Sequence, residues 1–171
     1  MHRLALTVAL LMPVVIDGGL IVEAIPEVLV ANESKTKSVE TLFKSAFRKS
    51  ESEDYRGAID DYSKVIELDP KHKIAYTSRG YNRQQIGDYE GAIDDYSKAI
   101  ELDPNYSSAY TSRGYNKQQL GDIKGAINDF SKAIELDPKS IYAYSTRGYT
   151  KQAIGDYEGA IDDYSKAIEL D

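Results

Sequence analysis

The stretch GDYEGAIDDYSKAIELD occupies positions 87–103 and returns letter for letter at 155–171. Between the two copies the punctuation is regular: Pro70, Pro104 and Pro138 each follow Leu-Asp and lie 34 residues apart. Aligned without gaps, 73–106 and 107–140 agree at 24 of 34 positions, and all 14 tyrosines fall between Tyr55 and Tyr164. A fixed period held in fixed phase marks a supersecondary unit used several times over, since composition bias generates no phase. The units run 39–72, 73–106, 107–140 and 141–171.

Each unit reads as two helices joined by a tight turn. In the second unit Ala75, Tyr76, Gly80 and Ile86 give a first helix of about three turns. Gly87-Asp88 ends it, because glycine can enter the left-handed region that closes a helix and aspartate can cap the next one. The second helix carries Tyr89, Ala92, Ile93, Tyr96, Ala99 and Ile100 at spacings of three and four, an amphipathic stripe. Pro104 stops it by lacking the N–H that a continuing helix needs and by disfavouring helical geometry at Asp103. Glu53-Asp54 stands where the later units have Gly-Asp, so the first turn is expected to be less well specified. One such unit cannot bury its stripe alone; stacking on neighbours stabilises it.

These positions resemble the tetratricopeptide repeat (TPR). The match lies in the 34-residue length with Tyr76, Gly80, Ala92, Tyr96, Ala99 and Pro104, then Tyr110, Gly114, Ala126, Phe130, Ala133 and Pro138, then Tyr144, Gly148, Ala160, Tyr164 and Ala167. A weaker set is Leu42, Ala46, Ala58, Tyr62, Val65 and Pro70. The resemblance implies an all-α fold, a right-handed superhelical solenoid of antiparallel helix pairs, used mainly to bind proteins or peptides on its concave side.

Composition narrows the chemistry. With Lys+Arg at 21 and Asp+Glu at 28 in 171 residues, the net charge of −7 argues against a nucleic-acid partner, which requires basic surface. Zero cysteines exclude disulfide scaffolds, thiolate metal sites and cysteine nucleophiles. The two histidines, His2 and His72, leave little for a metal site or a hydrolytic triad, so no cofactor, no metal and no enzyme activity are expected.

Residues 1–31 differ from the rest. Arg3 precedes an uncharged apolar run, Leu4 to Ile16, which by count is 13 residues. A helix spanning a bilayer needs ~20, and a run of ~7–15 behind a basic start has the dimensions of an export signal. Val22-Glu23-Ala24 and Leu29-Val30-Ala31 are the cleavage options, giving an exported protein; the alternative is a membrane anchor built on 4–16. Residues 32–38 are expected as a polar linker.

The face left over by packing is where function is expected. Placing Tyr110 at zero and turning ~100° per residue brings Thr111, Tyr115, Gln118 and Ser108 together between ~80° and ~160°, with Gln119 just beyond. The same positions elsewhere are Thr77, Tyr81, Gln84 and Gln85, then Ser145, Tyr149 and Gln152, with Phe43 and Phe47 at the near end. In the resembled family this is the ligand-holding side, here an aromatic ladder of Phe47, Tyr81, Tyr115 and Tyr149 flanked by amides and hydroxyls. The Lys/Asn/Arg clamp by which some family members grip acidic C-termini is replaced by Phe43, Phe47, Ser78, Ser108 and Ser112.

Arg79, Arg113 and Arg147 stand where the family commonly has leucine, and are expected to pair between units with acids such as Asp60/Asp61 or Asp94/Asp95. Those acids, with Asp129 and Asp162/Asp163, read as a solvated outer stripe, and His72 as an isolated surface residue. Ala160, Tyr164, Ala167 and Ile168 form a flank expected to be uncovered. Two functions follow: a non-catalytic scaffold that holds a polypeptide in the groove, as an assembly or adaptor factor, or a structural protein self-associating through that flank.

Overall fold

A computed structural model describes residues 24–171, with side chains described from residue 30 onward. The leader core Leu4–Ile16 lies outside the described residues, as do Val22 and Glu23 of the first cleavage option; the second option falls inside a helix. The described residues form eight helices and no strand: α1 (Ala24–Glu51), α2 (Tyr55–Leu68), α3 (Lys73–Gln85), α4 (Tyr89–Leu102), α5 (Ser107–Gln119), α6 (Ile123–Leu136), α7 (Ile141–Ala153) and α8 (Tyr157–Leu170). The chain divides into two units, Met1–Ser38 and Val39–Asp171.

In the first unit, residues 32–38, read from the sequence as a polar linker, are helical and exposed. Thr36 and Ser38 donate their hydroxyls to the carbonyls of Asn32 and Ser34 one turn back, 2.9 Å each.

The second unit is an all-α, TPR-type solenoid of helix pairs. Within each repeat α3 packs on α4, α5 on α6 and α7 on α8; between repeats α2 meets α3, α4 meets α5 and α6 meets α7. First helices also touch one another, α3 on α5 and α5 on α7. Alanines at the crossings (Ala58, Ala75, Ala92, Ala99, Ala126, Ala133, Ala143) are fully buried and let the backbones approach, while Tyr62, Tyr96 and Phe130 fill the remaining volume.

Each hairpin turn is built the same way. Gly87, Gly121 and Gly155 sit at φ near +80°, and Asp88, Asp122 and Asp156 follow as caps, their carboxylates accepting from the Gly91, Gly125 and Gly159 N–H at 2.9–3.0 Å. A Cβ at Gly91 would collide with the Asp88 carboxylate, so the small residue three positions on belongs to the cap. The first turn is no looser: Glu53 adopts the same left-handed conformation at φ 63°, and Asp54 caps Gly57 at 3.0 Å. An L-residue there costs about 1–2 kcal/mol, which the cap and the stacked helices offset.

At the unit junctions the carboxylates of Asp69, Asp103 and Asp137 accept from the N–H two residues on, each at 3.1 Å, which fixes the Leu-Asp-Pro corner. His72 is part of this architecture and not an isolated surface group. Its Nδ1 accepts from the Ala75 N–H at 3.2 Å to cap α3, and its ring stacks on Phe43 with centroids 5.1 Å apart.

Candidate functional site

Two faces of the first helices have different chemistry. The first holds ion pairs. Asp95 is 2% exposed and accepts from Arg79 Nε and Nη2 and from Arg83 Nη1, at 2.6–3.2 Å. The set recurs: Asp129 takes Arg113 and Lys117, and Asp163 takes Arg147 and Lys151, at 2.6–2.9 Å. In the first repeat Ser45 replaces the arginine, and Asp61 accepts from Ser45 Oγ at 2.7 Å and Lys49 Nζ at 2.6 Å.

These contacts correct two expectations. The partner of each arginine is the aspartate 16 residues on, in its own repeat, not an acid of the neighbouring unit. What crosses the boundary is the other arm of the fork: Nη1 of Arg79, Arg113 and Arg147 donates to Ser63, Ser97 and Ser131 of the preceding repeat, at 3.0–3.1 Å. The acidic stripe is likewise split. Asp60, Asp94 and Asp162 are exposed, whereas Asp61, Asp95, Asp129 and Asp163 are buried.

Burial pushes the Asp163 carboxyl up, but the hydrogen bonds from Arg147 and Lys151 outweigh it and the net shift is downward; Asp61 behaves alike through Lys49 and Ser45. At Asp95, inside the array, burial prevails over Arg79 and Arg83 and the carboxyl is raised. A folded-state carboxyl held below its unfolded value contributes stability above about pH 4, which is lost as pH falls through the folded value. The thermal midpoint is therefore expected to fall as pH is lowered below about 4, and Asp163→Asn to flatten part of that decline in melts across the same range.

The second face carries the sequence-predicted ladder. Tyr81 and Tyr149 are 47% and 62% exposed, Phe47 and the amides Gln85, Gln119 and Gln152 are exposed, and Thr77, Gln84, Tyr115, Gln118 and Ser145 are half-buried. Thr111 departs from expectation. It is buried, with α3 and α7 on either side of its helix, and its hydroxyl donates to the Ser107 carbonyl at 3.3 Å. Phe43 also departs, half-buried edge-on to Tyr62 at 5.4 Å as well as stacked on His72. With Lys44, Phe47, Arg48 and Glu51 it lines a hollow of about 420 Å³ on α1.

Several of these groups already have partners. Gln84 Oε1 accepts from Asn116 Nδ2 at 2.9 Å, and Gln152 Oε1 from the Tyr164 hydroxyl at 3.0 Å. Ile74 and Tyr142, both exposed, also belong to this face. They stand where Ser108 stands in α5, so the wheel that placed Ser108 had room for both.

No group of three or more His, Cys, Asp or Glu among the described residues could hold a metal ion. No described helix is long and apolar enough to cross a membrane.

The family model described as "TPR repeat" matches residues 83–119 and 118–155, and that described as "Tetratricopeptide repeat" matches 141–171. The chain belongs to the tetratricopeptide repeat family. Among solved structures, a crystal structure of MamA is 29% identical, with a TM-score of 0.75 over 86% of this chain and 84% of that one. Two others share the TPR fold at 24% identity. MamA 41-end from Desulfovibrio magneticus RS-1 has a TM-score of 0.73 over 77% of this chain and 75% of that one. The first TPR of Spaghetti (RPAP3), solved bound to the HSP90 peptide SRMEEVD, has a TM-score of 0.67 over 70% of this chain and 94% of that one. No curated protein matches the sequence. TPR arrays are protein-interaction scaffolds and are generally non-catalytic, and protein partners follow for this chain at that level.

Proposed function

We propose that this TPR protein is a non-catalytic adaptor that holds a polypeptide across the exposed face of α3, α5 and α7. The observation that carries the reading is that packing uses the charged residues of these helices, and Tyr76 with them, but leaves one or two tyrosines of α3 and α7 largely outside. Every lysine and arginine of α3, α5 and α7 is paired with a carboxylate, while Tyr81, Tyr142 and Tyr149 stand about half or more exposed. Tyrosine offers rigid contact area with a polar tip, and glutamine can donate to and accept from a peptide backbone. The RPAP3 domain was solved with an acidic peptide; here no lysine or arginine of these three helices is left over for a carboxylate.

Using the full chain as bait in an extract of its native host, Tyr81→Ala, Tyr115→Ala and Tyr149→Ala together are expected to lower capture of the partner at least tenfold with helicity unchanged. Equal capture by the triple variant would contradict the reading.

A second reading is favoured by α8. The same isoleucines that are half-buried in α4 (Ile93, Ile100) are 63% and 77% exposed in α8 as Ile161 and Ile168. Of the flank named from the sequence, Ala160 and Ala167 are covered by α7, so the apolar surface is centred on the two isoleucines. Self-association there predicts a dimer in sedimentation at micromolar concentration that Ile168→Glu converts to monomer; a monomer in both removes it. Export of the chain is likewise proposed, and N-terminal sequencing of the native protein tests it: an unprocessed Met1 contradicts cleavage.

A further inference from the structure

We propose that the outer face of α8 is a docking surface for a helix of another polypeptide that carries an alanine and, four residues on, an arginine, laid on α8 as α5 lies on α4. The surface belongs to a second helix and not to α3, α5 or α7, so the inference does not rest on the groove reading. It concerns the isoleucines of the self-association reading and names a different occupant for them.

One helix sequence in two surroundings shows what this face accepts. Positions 87–103 and 155–171 are identical, so α4 and α8 carry the same side chains. Helix α4 packs on α3 and α5, whereas α8 packs on α7. The difference falls on one stripe. Tyr89, Ile93, Ser97 and Ile100 are half-buried and Tyr96 is buried; their counterparts Tyr157, Ile161, Ser165 and Ile168 are exposed and Tyr164 is half-buried. At ~100° per residue these five positions fill a single sector of ~100°, the one that α5 covers on α4.

What α5 brings to that sector is particular to this chain. Ala109 is buried in one cluster with Tyr96 and Ala99 of α4, against which Ile100 and Tyr106 pack, and Arg113 donates from Nη1 to Ser97 Oγ at 3.1 Å. The other junctions repeat the pattern. Ala75 and Ala143 are fully buried, and Arg79 and Arg147 reach Ser63 and Ser131 at 3.0 Å. Ser165 is the fourth member of this serine series, exposed and without a hydrogen-bond partner. A helix with a bulky residue in place of the alanine is held off the isoleucines, and one without the arginine leaves Ser165 unused.

Charge and the other helices of the chain narrow the partner further. Glu158 and Asp162 follow Ser165 round the same wheel, both exposed and without an ion pair. They favour a helix with a cationic rim and disfavour a second α8, which brings the same acids. Nor can a folded second copy supply the pattern. The alanines and arginines of α3, α5 and α7 are engaged with the helix before each. Helix α1 has Thr41 and Ser45 at those two positions.

Fluorescence anisotropy on the full chain tests this. The probe is a labelled peptide of residues 105–120, the chain's own α5 sequence, held helical by a lactam bridge on its far side; a scrambled peptide of the same composition is the control. Saturable binding at least tenfold tighter than the control is expected. Ala109→Leu in the peptide and Ile168→Glu in the chain should each weaken it at least tenfold, and Arg113→Ala and Ser165→Ala severalfold. Tyr149→Ala should leave it unchanged, and far-UV circular dichroism checks that each chain variant is folded. Binding no tighter than the scrambled peptide's, or indifferent to Ile168→Glu, overturns the proposal. Loss of binding with Tyr149→Ala puts the peptide in the groove and overturns it as well. If the chain sediments as a dimer that the peptide does not displace and Ile168→Glu makes it a monomer, the occupant is a second copy: the self-association reading stands and this inference falls.

Discussion

Asp95→Ala is expected to destabilise the protein by about 3 kcal/mol, while Asp94→Ala, one residue away, is expected to stay within about 0.5 kcal/mol of wild type. The two carboxylates are adjacent in sequence and differ in everything else. Asp94 is exposed; Asp95 is buried and accepts from both Arg79 and Arg83. Deleting the acceptor strands two guanidinium groups between packed helices, and breaking a buried pair from one side typically costs ~3–5 kcal/mol. The lower end applies because the side chains of Arg79 and Arg83 keep 15% and 24% of their exposure and can turn partly to water. Arg79 would also lose its anchor and with it the bond to Ser63, so the loss reaches into the preceding repeat. Urea denaturation of the two variants checks this, and equal costs at both positions would restore the reading of a solvated acidic stripe.

The second large effect is steric. A Cβ added at Gly114 would lie 2.8 Å from the Phe130 ring and 3.1 Å from the Ala126 carbonyl oxygen. Phe130 is fully buried and a backbone oxygen cannot swing aside, so the helices must separate. Gly114→Ala is therefore expected to cost about 2–3 kcal/mol, the range of an overpacked core. At Gly80 and Gly148 the nearest atoms stand at 3.2 and 3.1 Å, all on side chains. There the gain of ~1 kcal/mol from replacing a helical glycine largely offsets the contact, and the substitutions are expected to be close to neutral. Phe130→Leu should recover part of the loss in the Gly114→Ala background, a coupling that a double-mutant cycle in urea measures.

The periodic features of the fold were legible in the sequence because each has a local physical cause. The glycine turns, the aspartate caps and the Leu-Asp-Pro corners are set by residues within three positions of one another. The turn at Glu53 misled because glycine is the cheapest residue in the left-handed region but not the only one a stacked framework can hold there. The arginine network was half legible. Three arginines at one repeat position announced a common role, but the carboxylate each one meets depends on how two helices cross. A signal for the buried acid was present: Asp61, Asp95, Asp129 and Asp163 each lie three residues after a core alanine, on the packed stripe. In the third repeat the neighbouring exposed position is Asn128, while the buried one keeps its acid.

The candidate face was readable where the helical wheel alone decides exposure, as at Tyr81 and Tyr149. It was not readable where a neighbouring helix intrudes. Thr111 occupies the angle of Thr77 and Ser145, yet it is the one that is buried, in the helix flanked by α3 and α7. The bonds that engage Gln84 and Gln152 arise between helices too, so no single-helix wheel shows them.

In the function we propose, the tyrosine-bearing face of α3, α5 and α7 receives a polypeptide while the buried ion pairs hold the repeats together behind it. Mapping amide chemical-shift changes on the full chain as a captured polypeptide is titrated in tests this most directly. The account predicts changes concentrated at residues 74–85, 108–119 and 142–153, and contradiction would be changes confined to α2, α4 and α6 or to the exposed isoleucines of α8.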